Sequence, residues 1–375
     1  MQSKKTTTKK RKIKQLDYGL LYTIVILLAI GVVMVYSASS YFAMVNYGDS
    51  MEFLKKQALF AVLGFISMML ISRCDYHKLK KLTGILIVFT PILLVAVKLF
   101  PAVKGAQRWI RLGPLSFQPS ELAKYAVVII LAHMITNKGE KIKDFWKGIV
   151  PCFMIGGIFA GLILAQKNLS IASVTIFVTF IMVFVAGARK KYMFGVITPL
   201  MLLAGSGFAF FEPYRRARLM NFINPWQDPA GNGYQLIQSF YALGAGGITG
   251  LGIGQSRQKT LYMPEPHNDF IFSIIGEELG LIGCTVIIIL FIIFVYRGIK
   301  IAMKAKDEYG TLLAVGITSI IGIQAIINIA VVTGSMPVTG VPLPFISYGG
   351  TALVFNLMAM GILLNISRQG NKKDD

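Results

Sequence analysis

The sequence predicts an all-α polytopic membrane protein of about ten transmembrane helices, both termini cytoplasmic, with one large extracellular loop between helices 7 and 8. Three observations lead there. Of 375 residues, 55% are hydrophobic and only 15% charged, too little polar surface for an ordinary soluble domain. Apolar stretches of roughly 17–25 residues, enough to cross about 30 Å of hydrocarbon at about 1.5 Å per residue, recur along the chain. The connections alternate between rich and poor in Lys and Arg, as the positive-inside rule requires.

Residues 1–17 form a basic tail carrying Thr6-Thr7-Thr8, expected to be disordered and to rest near anionic lipid. No cleavable signal follows, because the next apolar run is too long and lacks a small-residue cleavage site. The spans fall near 18–38, 57–73, 82–99, 119–136, 147–165, 169–187, 192–210, 269–296, 311–334 and 345–367. They make residues 18–368 one transmembrane domain, with the large loop at 211–268 and a second cytoplasmic tail at 369–375. The N-terminal tail and every second connection hold 25 of the 38 Lys and Arg, and the other five connections hold 11.

The net charge of +21 sits in short loops beside membrane segments rather than on one aromatic-laced face, which argues against nucleic acid. Cys74, Cys152 and Cys284 lie inside or at the ends of spans and form neither a disulfide framework nor a metal spacing; His77, His133 and His267 are scattered. No metal site is encoded.

Asp269, in Pro264-Glu265-Pro266-His267-Asn268-Asp269-Phe270, stands where the large loop re-enters an apolar helix. A carboxylate at the edge of hydrocarbon is costly unless compensated, so its default reading is functional. Two exported loops hold the other candidates. In the first, Arg108 and Arg111 flank Trp109, which is either an interfacial anchor or a ring that stacks on a sugar while the guanidiniums bind phosphate. Ser120 can cap the next helix, with Glu121 in its positive first turn. Glu121 and Lys124 share a face, and the pair either locks the helix start or lines a polar cavity where Lys124 meets an anion.

The second loop carries Tyr214-Arg215-Arg216-Ala217-Arg218, a cationic cluster on the side that should be poor in positive charge, which an anionic ligand outside would explain. Its Gly250-Leu251-Gly252-Ile253-Gly254 stretch is a weak nucleotide signal, since no strand precedes it, and reads as re-entrant or surface-lying. Glu277 and Glu278 fall roughly 80° and 180° from Asp269 and about 12–14 Å deeper on a regular helix. They either pair with cations inside the bundle or line a lipid path.

The motifs together resemble the SEDS family, the FtsW/RodA type of peptidoglycan glycosyltransferase. The residues that carry the resemblance are Gln107-Arg108-Trp109, Gln118-Pro119-Ser120-Glu121-Leu122-Ala123-Lys124, Pro264 to Phe272, Gly276-Glu277-Glu278-Leu279-Gly280 and Pro337 to Gly350. Gly-Leu-Gly-Ile-Gly-Gln-Ser with Gln258-Lys259 is closer to the FtsW/SpoVE branch. One departure stands out: where the family commonly has Gln-Pro-Asp-Leu-Gly, this chain has Gln166-Lys167-Asn168-Leu169-Ser170, so a family carboxylate is missing and Lys167 adds a cation.

The resemblance implies polymerisation of lipid II into β-1,4 glycan at the outer face of a bacterial cytoplasmic membrane, in cell division or sporulation. The implied partners are a class B penicillin-binding protein, other division or sporulation proteins, and membrane lipids. An inverting displacement needs a base for the incoming hydroxyl. A carboxylate in a water-poor site has its pKa raised and is a better base, which makes Asp269 the catalytic candidate. The pyrophosphate leaving group needs cations, and Arg108, Lys124, Arg216 and Arg218 are the candidates, with Trp109, Glu121, Lys259 and Ser347 completing the substrate-binding set. No motif requires a cofactor; a divalent cation, Mg or Mn, is compatible with the pyrophosphate. A lipid II flippase and a non-catalytic scaffold for a transpeptidase are the alternatives.

Overall fold

The computed structural model describes residues 16–370 except 103, 104, 113, 114, 211, 212, 232 and 261. The tails predicted at 1–17 and 369–375 therefore lie almost wholly outside the described residues, as does the side chain of Arg215.

Among the described residues, eight helices are long and apolar enough to cross a membrane: α1 (Tyr18–Tyr47), α2 (Glu52–Arg73), α3 (Tyr76–Leu99), α4 (Pro119–Lys143), α5 (Phe145–Leu164) and, after the large loop, three more. Between them stand a shorter apolar helix, α6 (Leu169–Val185), and a helical run, α7 (190–210), with a π-helical turn at Met193–Ile197. The loop holds α8 (Pro213–Ile223) and α9 (Tyr234–Gly246). The last three spans are α10 (Ile271–Met303), α11 (Glu308–Val332) and α12 (Thr351–Gln369). With α6 and α7, the eight occupy the ten predicted stretches.

Two boundaries shift for physical reasons. The tenth span begins at Thr351 rather than 345, because Phe345 has φ +65° and Gly350 φ +44°, neither of them helical. The predicted Ser120 cap is also corrected. Pro119 takes the first helical position, Gln118 is the N-cap without a side-chain bond, and the buried Ser120 hydroxyl has no hydrogen-bond partner among the described residues.

α4 is the centre of the bundle. It packs on α3, α5, α6, α11 and α12, and 78% of its most apolar window is buried, against 22% for α2. Polar side chains on α4 therefore meet protein rather than lipid, where an ionisable group would cost several kcal/mol.

The Gly-rich part of the large loop, though largely exposed, is pinned to the helix that follows it. α10 breaks at Gly280 (φ 64°, ψ −164°), and residues 247–252 are zipped to the break. Leu251 N–H and Gly252 N–H donate to the carbonyls of Glu277 and Glu278, each at 2.9 Å, while Leu281 N–H donates to Gly247 O at 2.9 Å and Ile282 N–H to Ile248 O at 3.2 Å. A broken helix is tolerated in a membrane only when its freed backbone groups find such partners. Close approach demands the glycines: a Cβ on Gly250 would stand 2.2 Å from Glu278 O, and one on Gly280 2.4 Å from Gly250 N.

Candidate active site

Asp269 is half-buried two residues before α10 begins. Its carbonyl accepts from Asn328 Nδ2 at 2.7 Å, and the same amide donates to Val341 O at 2.7 Å. The segment behind Asp269 is clamped as well. Ser347 Oγ donates to Asn268 O at 2.8 Å, Tyr348 N–H donates to His267 O at 2.9 Å, and the His267 ring packs 4.3 Å from the Phe53 ring centroid and near Tyr348.

The loop between α11 and α12 gathers the site through four consecutive residues. Val338 O accepts from Arg218 Nη1 at 3.2 Å, Thr339 O accepts from Ser170 Oγ at the start of α6, Gly340 lies so close that a Cβ would stand 3.2 Å from Asp269 Oδ2, and Val341 takes the Asn328 amide. The starts of α6 and α10 and the end of α11 thus converge on one short strand of backbone. Tyr125 OH, donating to Asn356 Oδ1 at 2.7 Å, brings the early turns of α4 and α12 together, and Thr351 Oγ1 ties α12 to Ser116 O of a short hairpin, Ile110–Leu112 with Leu115–Phe117.

On α4, Lys124 Nζ lies 2.8 Å from Glu121 Oε2, and the two side chains are 1% and 3% exposed. The ammonium is nevertheless out of hydrogen-bond alignment and has no hydrogen-bond partner among the described residues; the face of Tyr125 is 5.8 Å away. The pair is thus a buried ion pair, as the first of the two readings has it.

The other expected residues divide. Arg218 joins the Asp269 loop, and Arg216, on the same helix, is exposed. Arg108 Nε donates to Gln166 O at 3.3 Å and its Nη2 to Lys167 O, so it buttresses the α5–α6 turn. Trp109 is half-buried beside it. Lys167 has φ +60°, which a proline ring, fixed near about −65°, cannot adopt. Asn168 N-caps α6 through Ile171 N–H at 3.3 Å, the part an aspartate would play equally well. Ser347 holds backbone on both sides, since its Oγ also accepts from Leu343 N–H at 2.8 Å. Lys259 is buried against Glu278.

Asn328 is the residue that sequence reasoning missed. An amide in an apolar span was its signal, because polar groups inside a membrane helix are costly without a purpose. No group of three or more His, Cys, Asp or Glu able to hold a metal occurs among the described residues.

The cell cycle protein family model that covers FtsW, RodA and SpoVE matches residues 18–372. The chain is 46% identical to stage V sporulation protein E of Bacillus subtilis, over 94% of this chain and 97% of that one. It is 43% identical to a probable peptidoglycan glycosyltransferase FtsW of a Geobacter species, over 95% and 98%. In three dimensions it is similar to a chain of a peptidoglycan synthase complex solved for its structural coordination of polymerization and crosslinking, with TM-score 0.78 and 29% identity over 94% and 98%. It is similar too to the rod shape determining protein RodA of Thermus thermophilus, with TM-score 0.70 and 26% identity over 96% and 98%.

Proposed function

Starting from the fact that the chain belongs to the FtsW, RodA and SpoVE family and is a multi-pass membrane peptidoglycan glycosyltransferase, we propose that it polymerises lipid II at the outer face of the cytoplasmic membrane, with Asp269 as general base. The observation that carries this reading is the convergence of Asp269 and Arg218 on residues 338–341, in a bundle whose central helix buries a lysine. A carboxylate within reach of an acceptor sugar takes the proton of its hydroxyl. That oxygen attacks the anomeric carbon of the donor from the face opposite the pyrophosphate, inverting α to β, and the C–O bond to undecaprenyl pyrophosphate breaks. Lys124, Arg216 and Arg218 supply positive charge to the departing diphosphate, the electrostatic contribution that dominates such transfers.

The outward face is supported by the distribution of Lys and Arg, which leaves the large loop on the side opposite the basic connections. A class B penicillin-binding protein is the proposed partner, supported by the similarity to a chain from a complex that coordinates polymerization with crosslinking. Cell division or sporulation is the proposed setting, supported by the relative named for sporulation and by the cell cycle protein family model.

The test is reconstitution of purified protein with labelled lipid II, with and without such a transpeptidase. Asp269→Asn is expected to lower polymer formation by about 10²–10⁴-fold, the usual worth of general-base assistance, with melting unchanged. Wild-type activity in Asp269→Asn would overturn the base assignment. Absence of polymer under every partner condition, with lipid scrambling that depends on Asp269, would favour a flippase.

A further inference from the structure

Glu277 and Glu278 are both 0% exposed, and the mechanism uses neither. Their oxygens are fully engaged with the Gly-rich arm of the large loop. Glu277 accepts the Ser256 hydroxyl, the Arg257 N–H at 2.9 Å and the Gln258 N–H at 3.3 Å. Glu278 accepts Ser37 Oγ of α1 at 2.6 and 2.7 Å, the Ser256 N–H at 3.3 Å and Lys259 Nζ at 2.7 Å. Lys259 Nζ also donates to Ser37 Oγ at 3.2 Å, so α1, the loop arm and α10 meet at one buried charge pair.

The pair lies 19 residues apart in sequence, and Asp269 is near the middle of the segment it closes. Between Lys259 and Asp269 the chain is pinned again at Met263, whose N–H donates to Gln258 O at 2.9 Å, before the clamp at 267–269. The arm can reach Glu278 only because α10 breaks at Gly280 and accepts residues 247–252 alongside it.

We infer that Lys259, Glu277, Glu278 and Ser37 form a buried latch that positions Asp269, seating the loop arm in the break of α10 so that the carboxylate is held against residues 338–341. These are positioning residues, and the inference rests on the reading of Asp269 as the base. A buried pair that loses one member leaves an uncompensated charge, so releasing the latch lets the 263–270 segment leave its place while the helices remain packed.

The test uses full-length protein and two readouts: turnover of labelled lipid II, and hydrogen exchange of residues 263–270. Lys259→Met is expected to lower turnover at saturating lipid II by about tenfold or more, with KM unchanged, and to raise exchange in 263–270. Lys259→Arg, which keeps the charge, should recover most of that turnover. Ser37→Ala keeps both charges and removes one shared hydroxyl, so a fall of about threefold is expected, with melting unchanged. Ser37→Ala decides the matter if Lys259→Met fails to fold: wild-type turnover and exchange in Ser37→Ala overturn the latch. A lower yield of folded Lys259→Met with normal turnover per folded molecule also overturns it, leaving a purely structural pair. Failure of the base assignment reads differently, as full activity in Asp269→Asn while exchange of 263–270 still responds to Lys259→Met.

Discussion

Among the described residues, two buried lysine–glutamate pairs occupy this bundle, and they are built in opposite ways. Lys259 has two aligned acceptors, Glu278 and Ser37, and Glu278 in turn serves a hydroxyl and a backbone N–H besides the ammonium. Lys124 has one carboxylate at 2.8 Å and no aligned hydrogen bond among the described residues. Burying a charge is costly unless it is paired and hydrogen-bonded. The saturated pair meets that demand and is architecture. The pair on α4 rests on a single close contact, and in the proposed mechanism its lysine is the one that meets the diphosphate. Burial and charge are the same in both cases; the count of satisfied hydrogen bonds tells them apart.

The largest expected effect breaks the pair on α4. Lys124→Met should lower lipid II polymerisation by about 10²–10³-fold, measured on labelled substrate. Because Lys124→Met alone strands Glu121, the sharper variant is Glu121→Gln with Lys124→Met, which removes both charges. It is expected to melt like wild type and remain inactive, and restored polymerisation would reduce the pair to a helix lock. Next in size is Gly280→Ala at the break that receives the latch. With φ +64° and Gly250 N 2.4 Å from the new Cβ, strain and overpacking together should cost about 3 kcal/mol, read as a lower melting temperature in detergent. Gly157→Ala, where a Cβ meets nothing within 4 Å, is the control and should not melt earlier.

An exposed charge cluster supplies the lower end of the scale. Asp75 and Asp307 flank the His77 ring, each at 2.7 Å. Burial pushes the Asp75 carboxyl up, but the His77 backbone N–H, the His77 ring and the Gln369 amide outweigh it and hold it at about 2 against an ordinary 3.8. A depressed carboxylate contributes stability above its unfolded pKa and loses it as pH falls through the folded value. The Asp75 side chain is half-exposed, so screening leaves no more than about 1 kcal/mol. The melting difference between wild type and Asp75→Asn should therefore be small at neutral pH and close between about pH 4 and about pH 2; a difference as large as that of Gly280→Ala would put this cluster with the buried pairs.

Much was legible in the chain itself. Ten apolar stretches became α1 to α7 and α10 to α12 because length and apolarity are local properties. Asp269 was legible because a carboxylate at a membrane edge is conspicuous wherever it is folded. The partners of Lys259 were hidden because a cation in an exported loop looks available until the fold is known, and Ser37 stands 222 residues from it. Those of Arg108 were hidden for the same reason, its acceptors being carbonyls 58 and 59 residues on. The straight helix expected through Glu277 and Glu278 gave no sign that Gly280 would open it to another segment.

Composition, span length and motif order determined the class of this protein and its family, since those depend on what the residues are and on near neighbours. Tertiary structure alone decided which partners each buried lysine meets, that residues 338–341 gather Asp269, Arg218 and Ser170, and that the Gly-rich arm lies in a broken helix. Those outcomes depend on hydrogen bonds between residues far apart in the chain, which leave no periodicity in the sequence and exist only once the bundle has closed.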